Sequence, residues 1–164
     1  MYALSAHEFK DKKELYNFLE DQVVSLLTGE RDMIANCANF TALLYHYLPD
    51  VNWLGFYFLK ENQLVVGPFQ GKPACVRIDL GKGVCGTAAV KKKPLIVPNV
   101  HEFPGHIACD VRSNAEIVLP LIKDGELVGI LDIDSPVFSC FDREDQKGLE
   151  RLLNYLISTT DFIR

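Results

Sequence analysis

The chain is expected to fold as an α+β domain with a largely antiparallel central sheet, N-terminal helices and a C-terminal helix packed against it. Three observations predict this class. Apolar residues recur at helical spacing near both ends of the chain. The segment between them breaks into short β-rich runs. Tight-turn residues separate neighbouring runs.

In the first segment, Asp11 to Leu27, apolar residues fall at Leu15, Phe18, Leu19, Val23, Leu26 and Leu27, the three-and-four spacing of an amphipathic helix. Thr28-Gly-Glu30 breaks it, and a second series at Ile34, Cys37, Phe40, Leu44, Tyr47 and Leu48 predicts another helix ending before Pro49. Cys37 lies on that apolar face and reads as a small buried hydrophobe. Trp53 to Leu59, a turn at Lys60 to Gln63, and Leu64 running on toward Phe69 predict a hairpin. Alternation puts Trp53, Gly55 and Tyr57 on one face, where the glycine leaves room; the aromatics are either core or a ligand wall.

Val76 to Leu80 reads as a third strand, Val84 to Val90 as a short helix with Cys85 near its start, and Pro94 to Val100 as a strand. A helix amino terminus is expected to lower the Cys85 thiol pKa. Lys91-Lys-Lys93 reads as solvated surface. His101 to Asn114 is a long connection with little periodicity, and such loops inside compact domains are usually functional. Ala115 to Ile122 and Leu127 to Asp134, joined by Lys123-Asp-Gly-Glu126, form a final hairpin. Asp132 and Asp134 share one face of its second strand. A terminal helix follows, opening with Asp142, Glu144 and Asp145 and repeating Leu149, Leu152, Leu153, Leu156 and Ile157.

The length of 164 residues suits one domain, residues 1–164. A net charge of −5 gives no basic surface for a nucleic-acid backbone. The amino terminus lacks the basic segment and apolar run of a signal peptide, and the apolar stretches are strand-length, so a soluble, unexported, cytoplasmic protein with no membrane association is expected. Five cysteines without an export signal argue against a permanent disulfide framework and permit reversible thiol chemistry.

Three of those cysteines, Cys75, Cys85 and Cys109, fall between Gln70 and Glu116 with two of the four histidines, His101 and His106. Zinc could draw on these residues, but structural zinc sites use close Cys or His pairs, and these cysteines are ten and twenty-four residues apart. Inert packing is the bland alternative, although glycine- and proline-flanked loops are poor places to bury a hydrophobe. Thiol redox catalysis remains, with one thiolate as nucleophile and a second thiol reaching it to form a disulfide. No metal and no cofactor is expected.

Trp53-Leu-Gly-Phe-Tyr57, Gly71-Lys-Pro-Ala-Cys75, Gly81-Lys-Gly-Val-Cys-Gly86, Gly105-His-Ile-Ala-Cys109-Asp, Ser113-Asn-Ala-Glu116 and Gly129-Ile-Leu-Asp-Ile-Asp-Ser135 together resemble the free methionine-R-sulfoxide reductases, stand-alone GAF-domain enzymes. The resemblance runs from about Ala35 to the final helix. It implies a GAF-like fold and reduction of the free R epimer of methionine sulfoxide, protecting against oxidative damage. By the same resemblance Cys109 is the nucleophile, Cys75 the principal resolving cysteine in a Cys75–Cys109 disulfide reduced by thioredoxin, and Cys85 an auxiliary thiol. Glu116, Asp132 and Asp134 are the substrate-binding carboxylates, and Trp53 and Tyr57 the aromatic wall around the substrate methyl. A homodimer through the terminal helices is also implied. Arg112 or loop amides are candidates for the substrate carboxylate, and the two histidines are expected to structure their loop. A ligand-sensing GAF module and a thiol redox sensor are the alternatives.

Overall fold

Helix α1, Lys12–Leu27, starts where the Asp11 side chain accepts a hydrogen bond from the Glu14 backbone N–H. Asp32 caps α2, Met33–Tyr47, in the same way through Ala35. In the computed structural model, residues 7–106 and 110–162 are described. After α2 the chain enters β1, Trp53–Lys60, and returns in β2, Gln63–Gly71. The turn between them is two residues long, and Glu61 and Asn62 both have positive φ, the twist that suits a tight hairpin. β3, Arg77–Asp79, leads to α3, Gly83–Lys91, and then to β4, Leu95–Val97. A 3-10 turn at Val100–Glu102 precedes β5, Ala115–Lys123, and β6, Glu126–Ser135, which close on a second two-residue turn at Asp124 and Gly125. The last helix is α4, Arg143–Thr159.

The expected strand from Pro94 to Val100 is shorter than its apolar run. Pro98 has no N–H for a ladder, and the Asn99 side chain accepts from the His101 N–H to start the 3-10 turn. The other elements lie where the sequence places them.

The six strands form one sheet in the order β3-β2-β1-β6-β5-β4, with every neighbouring pair antiparallel. Its two faces are both buried, for different reasons. Leu54, Phe56 and Phe58 of β1, with Ile117 and Leu119 of β5 and Leu131 and Ile133 of β6, pack against α1, α2 and α4 in the larger core. The alternate residues, Trp53 and Tyr57, Val118 and Ile130, turn to the opposite face and pack with Val84, Cys85, Ala88 and Ala89 of α3.

The helical layer is fastened by Asp145. Its carboxylate accepts from the Asp142 N–H in a reciprocal capping box, from the Tyr16 hydroxyl at 3.0 Å and from the Lys12 ammonium. Gly148, one turn on, lets the Tyr16 ring lie against the α4 backbone. Among the described residues no helix is long and apolar enough to cross a membrane.

Candidate active site

The α3 face of the sheet carries the three carboxylates. Register places Asp134 of β6 opposite Trp53 of β1 on one side and Glu116 of β5 on the other, so these three form one row across three strands. In the next row, Asp132 lies opposite Gly55 and Val118. Side chains directly opposite in an antiparallel pair are close neighbours, so this register clusters the acids. All three are buried: Glu116 is 4% exposed, Asp132 6% and Asp134 7%.

Among the described residues no lysine or arginine forms an ion pair with them, and burial is the largest influence on their protonation. Burial, then the neighbouring Asp134, pushes the Glu116 carboxyl up to about 8. Asp132 and Asp134 are driven well above the usual carboxylate range by burial first, and then Asp132 by Glu116 and Asp134 by Asp132 and Asp110. Carboxyl groups that keep a proton near neutral pH can donate to a leaving oxygen. They can also accept a cationic ligand on ionisation.

Cys85 enters this cluster from the first turn of α3, where its thiol donates to Oε1 of Glu116 at 3.5 Å. The expected lowering of its pKa does not hold. Burial, followed by Asp132 and Glu116, drives the thiol well above its ordinary value, outweighing any helix-terminus effect. Gly86 allows this helix start to sit tightly, since a Cβ there would come within 2.4 Å of the Asp79 carbonyl oxygen. Between α3 and the strands is a cavity of about 20 Å³, lined by Lys82, Val84, Cys85, Glu116, Asp132 and Asp134 among others.

Trp53 and Tyr57 lie beside the carboxylates on the same face, 2% and 1% exposed, with ring centroids 5.8 Å apart. The room expected at Gly55 is already occupied. A Cβ there would meet Cβ of Phe69 at 2.4 Å and the outer edge of the Trp53 ring at 2.6 Å. Trp53 stacks on Phe69 and donates its indole N–H to the Lys72 carbonyl at 3.0 Å, so the ring is held at one face and at its N–H edge.

Two loops carry the remaining candidate cysteines. Cys75 is half-buried in the first and packs against the α3-side core. Cys109, in the second, lies outside the described residues, but its neighbour Asp110 is described and buried. The Lys72 ammonium lies 3.3 Å from Oδ2 of Asp110, joining the two loops. Asp110 also accepts from the Arg112 N–H and guanidinium, and these bonds hold its carboxyl well below the ordinary range. Arg112 is thereby committed to Asp110, which weakens its candidacy for a substrate carboxylate.

The two histidines separate. His101 structures its loop as expected, with Nε2 2.8 Å from Oδ1 of Asn114. His106 closes a turn through its N–H to the Phe103 carbonyl at 3.1 Å, and its side chain also reaches the carboxylates: Nε2 lies 3.5 Å from Oε2 of Glu116, and burial lowers its pKa. It is a member of the site that spacing did not reveal; its place beside Cys109 in the Gly105-His-Ile-Ala-Cys109 motif was the available signal. Lys72 and Asp110 have the same signature, each within three residues of a candidate cysteine. Cys37 is on the far side of the sheet, fully buried, with its thiol pushed up to about 12 by burial, as an inert core residue would be.

The GAF domain family matches residues 13–157. A free methionine-R-sulfoxide reductase of Escherichia coli is 50% identical over 155 residues, covering 93% of this chain and 94% of the relative. Protein YtsP of Bacillus subtilis is 55% identical over 148 residues, covering 89% and 91% of the two chains. The X-ray structure of free methionine-R-sulfoxide reductase from Neisseria meningitidis in complex with its substrate superposes with a TM-score of 0.91 at 38% identity, covering 97% of this chain and 95% of that one. The fold, the motifs and these likenesses over nearly the whole chain agree, and the protein belongs to the GAF-domain family of free methionine-R-sulfoxide reductases.

Proposed function

We propose that the protein reduces free L-methionine-R-sulfoxide to methionine, with Cys109 as the nucleophile and Glu116, Asp132 and Asp134 as the acids that bind and protonate the substrate. The observation that carries this reading is the buried carboxylate row beside Trp53, which brings proton donors and an aromatic face to one point. Its support is the match in sequence and fold to reductases of that name.

The chemistry follows from these groups. The Cys109 thiolate attacks the sulfoxide sulfur, the protonated oxygen passes to the cysteine sulfur as the bond between oxygen and the methionine sulfur breaks, and methionine leaves reduced by two electrons while Cys109 becomes a sulfenic acid. A buried carboxyl supplies the proton that the oxygen needs. The Trp53 and Tyr57 faces stabilise positive character at sulfur and enclose the methyl group. The carboxylates reward a free ammonium, which a peptide-embedded sulfoxide lacks. The Cys75 thiol then attacks the sulfenic sulfur, releasing water and forming a Cys75–Cys109 disulfide, which a thioredoxin dithiol reduces. Cys85, hydrogen-bonded to Glu116 and held as a thiol, serves as an auxiliary group rather than as the first resolver. Thioredoxin recycling fits the reducing cytoplasm, and the family resemblance adds a homodimer, which light scattering checks.

The test is methionine release from the free R epimer, the free S epimer and a peptidyl sulfoxide, using reduced protein with a thioredoxin-regenerating system. Turnover confined to the free R epimer is expected. Absence of turnover with all three, in folded and fully reduced protein, would replace this reading with a ligand-sensing GAF module.

A further inference from the structure

Cys85, Glu116 and Asp132 each direct one donor atom to a common point, the three atoms lying within 4.8 Å of one another. They come from α3, β5 and β6, so tertiary packing rather than local chain geometry brings them together. The sulfur of Cys85 stands 3.5 Å from Oε1 of Glu116. A tetrahedral zinc ion with bonds of about 2.3 Å to sulfur and about 2.0 Å to oxygen holds two such ligands about 3.5 Å apart. This pair already has the separation of bound ligands.

Two further observations point to a cation. Oδ1 of Asp132, on a residue more than nine-tenths buried, has no hydrogen-bond partner among the described residues. Buried carboxylate oxygens ordinarily find a donor or a metal. The space directly between these residues, about 20 Å³, is the size of a water molecule or a metal ion. One thiol with two carboxylates is softer than the all-oxygen sets of calcium and magnesium and suits zinc.

We propose that the reduced protein binds one zinc ion through Cys85, Glu116 and Asp132, with the fourth position open to water, and that the bound ion closes the cleft to substrate. Binding displaces the thiol proton, and any proton on the two carboxyls, to solvent; no electron is transferred. Zinc is an inhibitor here rather than a cofactor, removable by a chelator. Metal binding does not depend on the function proposed above, whereas exclusion of substrate rests on it.

The experiment uses cobalt(II) as a spectroscopic probe and zinc as its competitor. Cys75, Cys109 and Cys140 are replaced by serine, leaving Cys85 as the reachable thiol; Cys37, in the opposite core, is kept. One equivalent of cobalt should give a thiolate charge-transfer band and tetrahedral visible bands, bleached by one equivalent of zinc. Cys85→Ser in that background should remove the charge-transfer band. Asp132→Asn and Glu116→Gln should each weaken binding at least about tenfold. A folded protein without the thiolate band, or one with unchanged affinity in both carboxylate variants, overturns the site. Should the triple variant misfold, zinc affinity of the reduced native protein is measured against a chelating dye, and equal affinity in Cys85→Ser overturns it instead. Zinc binding without competition against methionine sulfoxide would retain the metal site and reject substrate exclusion.

Discussion

The Lys72 ammonium lies 3.3 Å from Oδ2 of Asp110 and so links the loop leading to Cys75 with the residue that follows Cys109. Lys72 is half-exposed and contributes modestly, whereas Asp110 is buried and also receives the Arg112 side chain and N–H. Lys72→Met is therefore expected to slow Cys75–Cys109 disulfide formation by no more than about fivefold, the scale of an exposed pair. Asp110→Asn should slow it further while leaving the protein folded. Stopped-flow measurement of disulfide formation after one turnover checks both. An unchanged rate in Asp110→Asn would remove the clamp from the mechanism.

The division of labour between the cysteines predicts two different single-turnover results. Cys109→Ser should lower methionine release at least about a thousandfold, as loss of a nucleophile does. Cys75→Ser should release one equivalent at close to the native rate and then stall with thioredoxin as reductant. Equal loss of the first equivalent in both variants would contradict these roles.

Glu116 gives the pH dependence its sign. Its carboxyl titrates at about 8 in the fold against 4.5 in the open chain, so between those values the folded protein holds a proton that the unfolded chain has released. The stability contribution is complete below about pH 4.5 and is lost as pH rises through about 8. Glu116→Gln, which keeps the shape and cannot ionise, should exceed the native protein by about 2 kcal/mol or more at about pH 9 and match it at about pH 4. Denaturant unfolding at the two pH values measures this. Activity that needs the carboxyl proton should fall above about pH 8 in the native enzyme.

How far the sequence reveals this site depends on the kind of relation involved. Alternation along a strand is local, and it identified the face shared by Asp132 and Asp134 and that shared by Trp53 and Tyr57. Register is not local: the row Trp53, Asp134, Glu116 exists because β6 lies between β1 and β5, which no single strand reveals. His101 and His106 look alike in the loop, yet one bonds Asn114 and the other faces Glu116. Cysteine spacing likewise argues against zinc only for sites made of cysteine and histidine. Two carboxylates from separate strands complete the set around Cys85 and leave no spacing signature.

Gly148 tests the helical layer. A Cβ at this position would fall 2.2 Å from the nearest Tyr16 ring atom. Alanine gains about 1 kcal/mol in helix propensity, but forcing the buried ring aside costs about 1–3 kcal/mol and strains its bond to Asp145. Gly148→Ala is expected to lower the melting temperature despite the better helix former. Retained or increased stability would mean that the ring moves freely.

Gly55→Ala separates a packing role from a cleft role at the aromatic wall. The added methyl would enter space held by Phe69 and the Trp53 ring, both closer than any Cβ tolerates, and the backbone of Phe69 leaves little scope for movement. The Phe69 contacts are its Cβ and Cα, whereas the Trp53 contact is the far end of its ring, so relief of the clash requires the Trp53 ring to be displaced, losing its stack on Phe69 and its bond to the Lys72 carbonyl. Trp53 is paired with Asp134, so its displacement removes the aromatic face at the carboxylate row itself. The expected result is a fall of about two- to tenfold in kcat/KM for the free sulfoxide, the scale of one lost aromatic contact. Tryptophan fluorescence should shift to longer wavelength in parallel. A fluorescence shift with unchanged kcat/KM would assign Trp53 to the core alone and leave the substrate methyl to Tyr57.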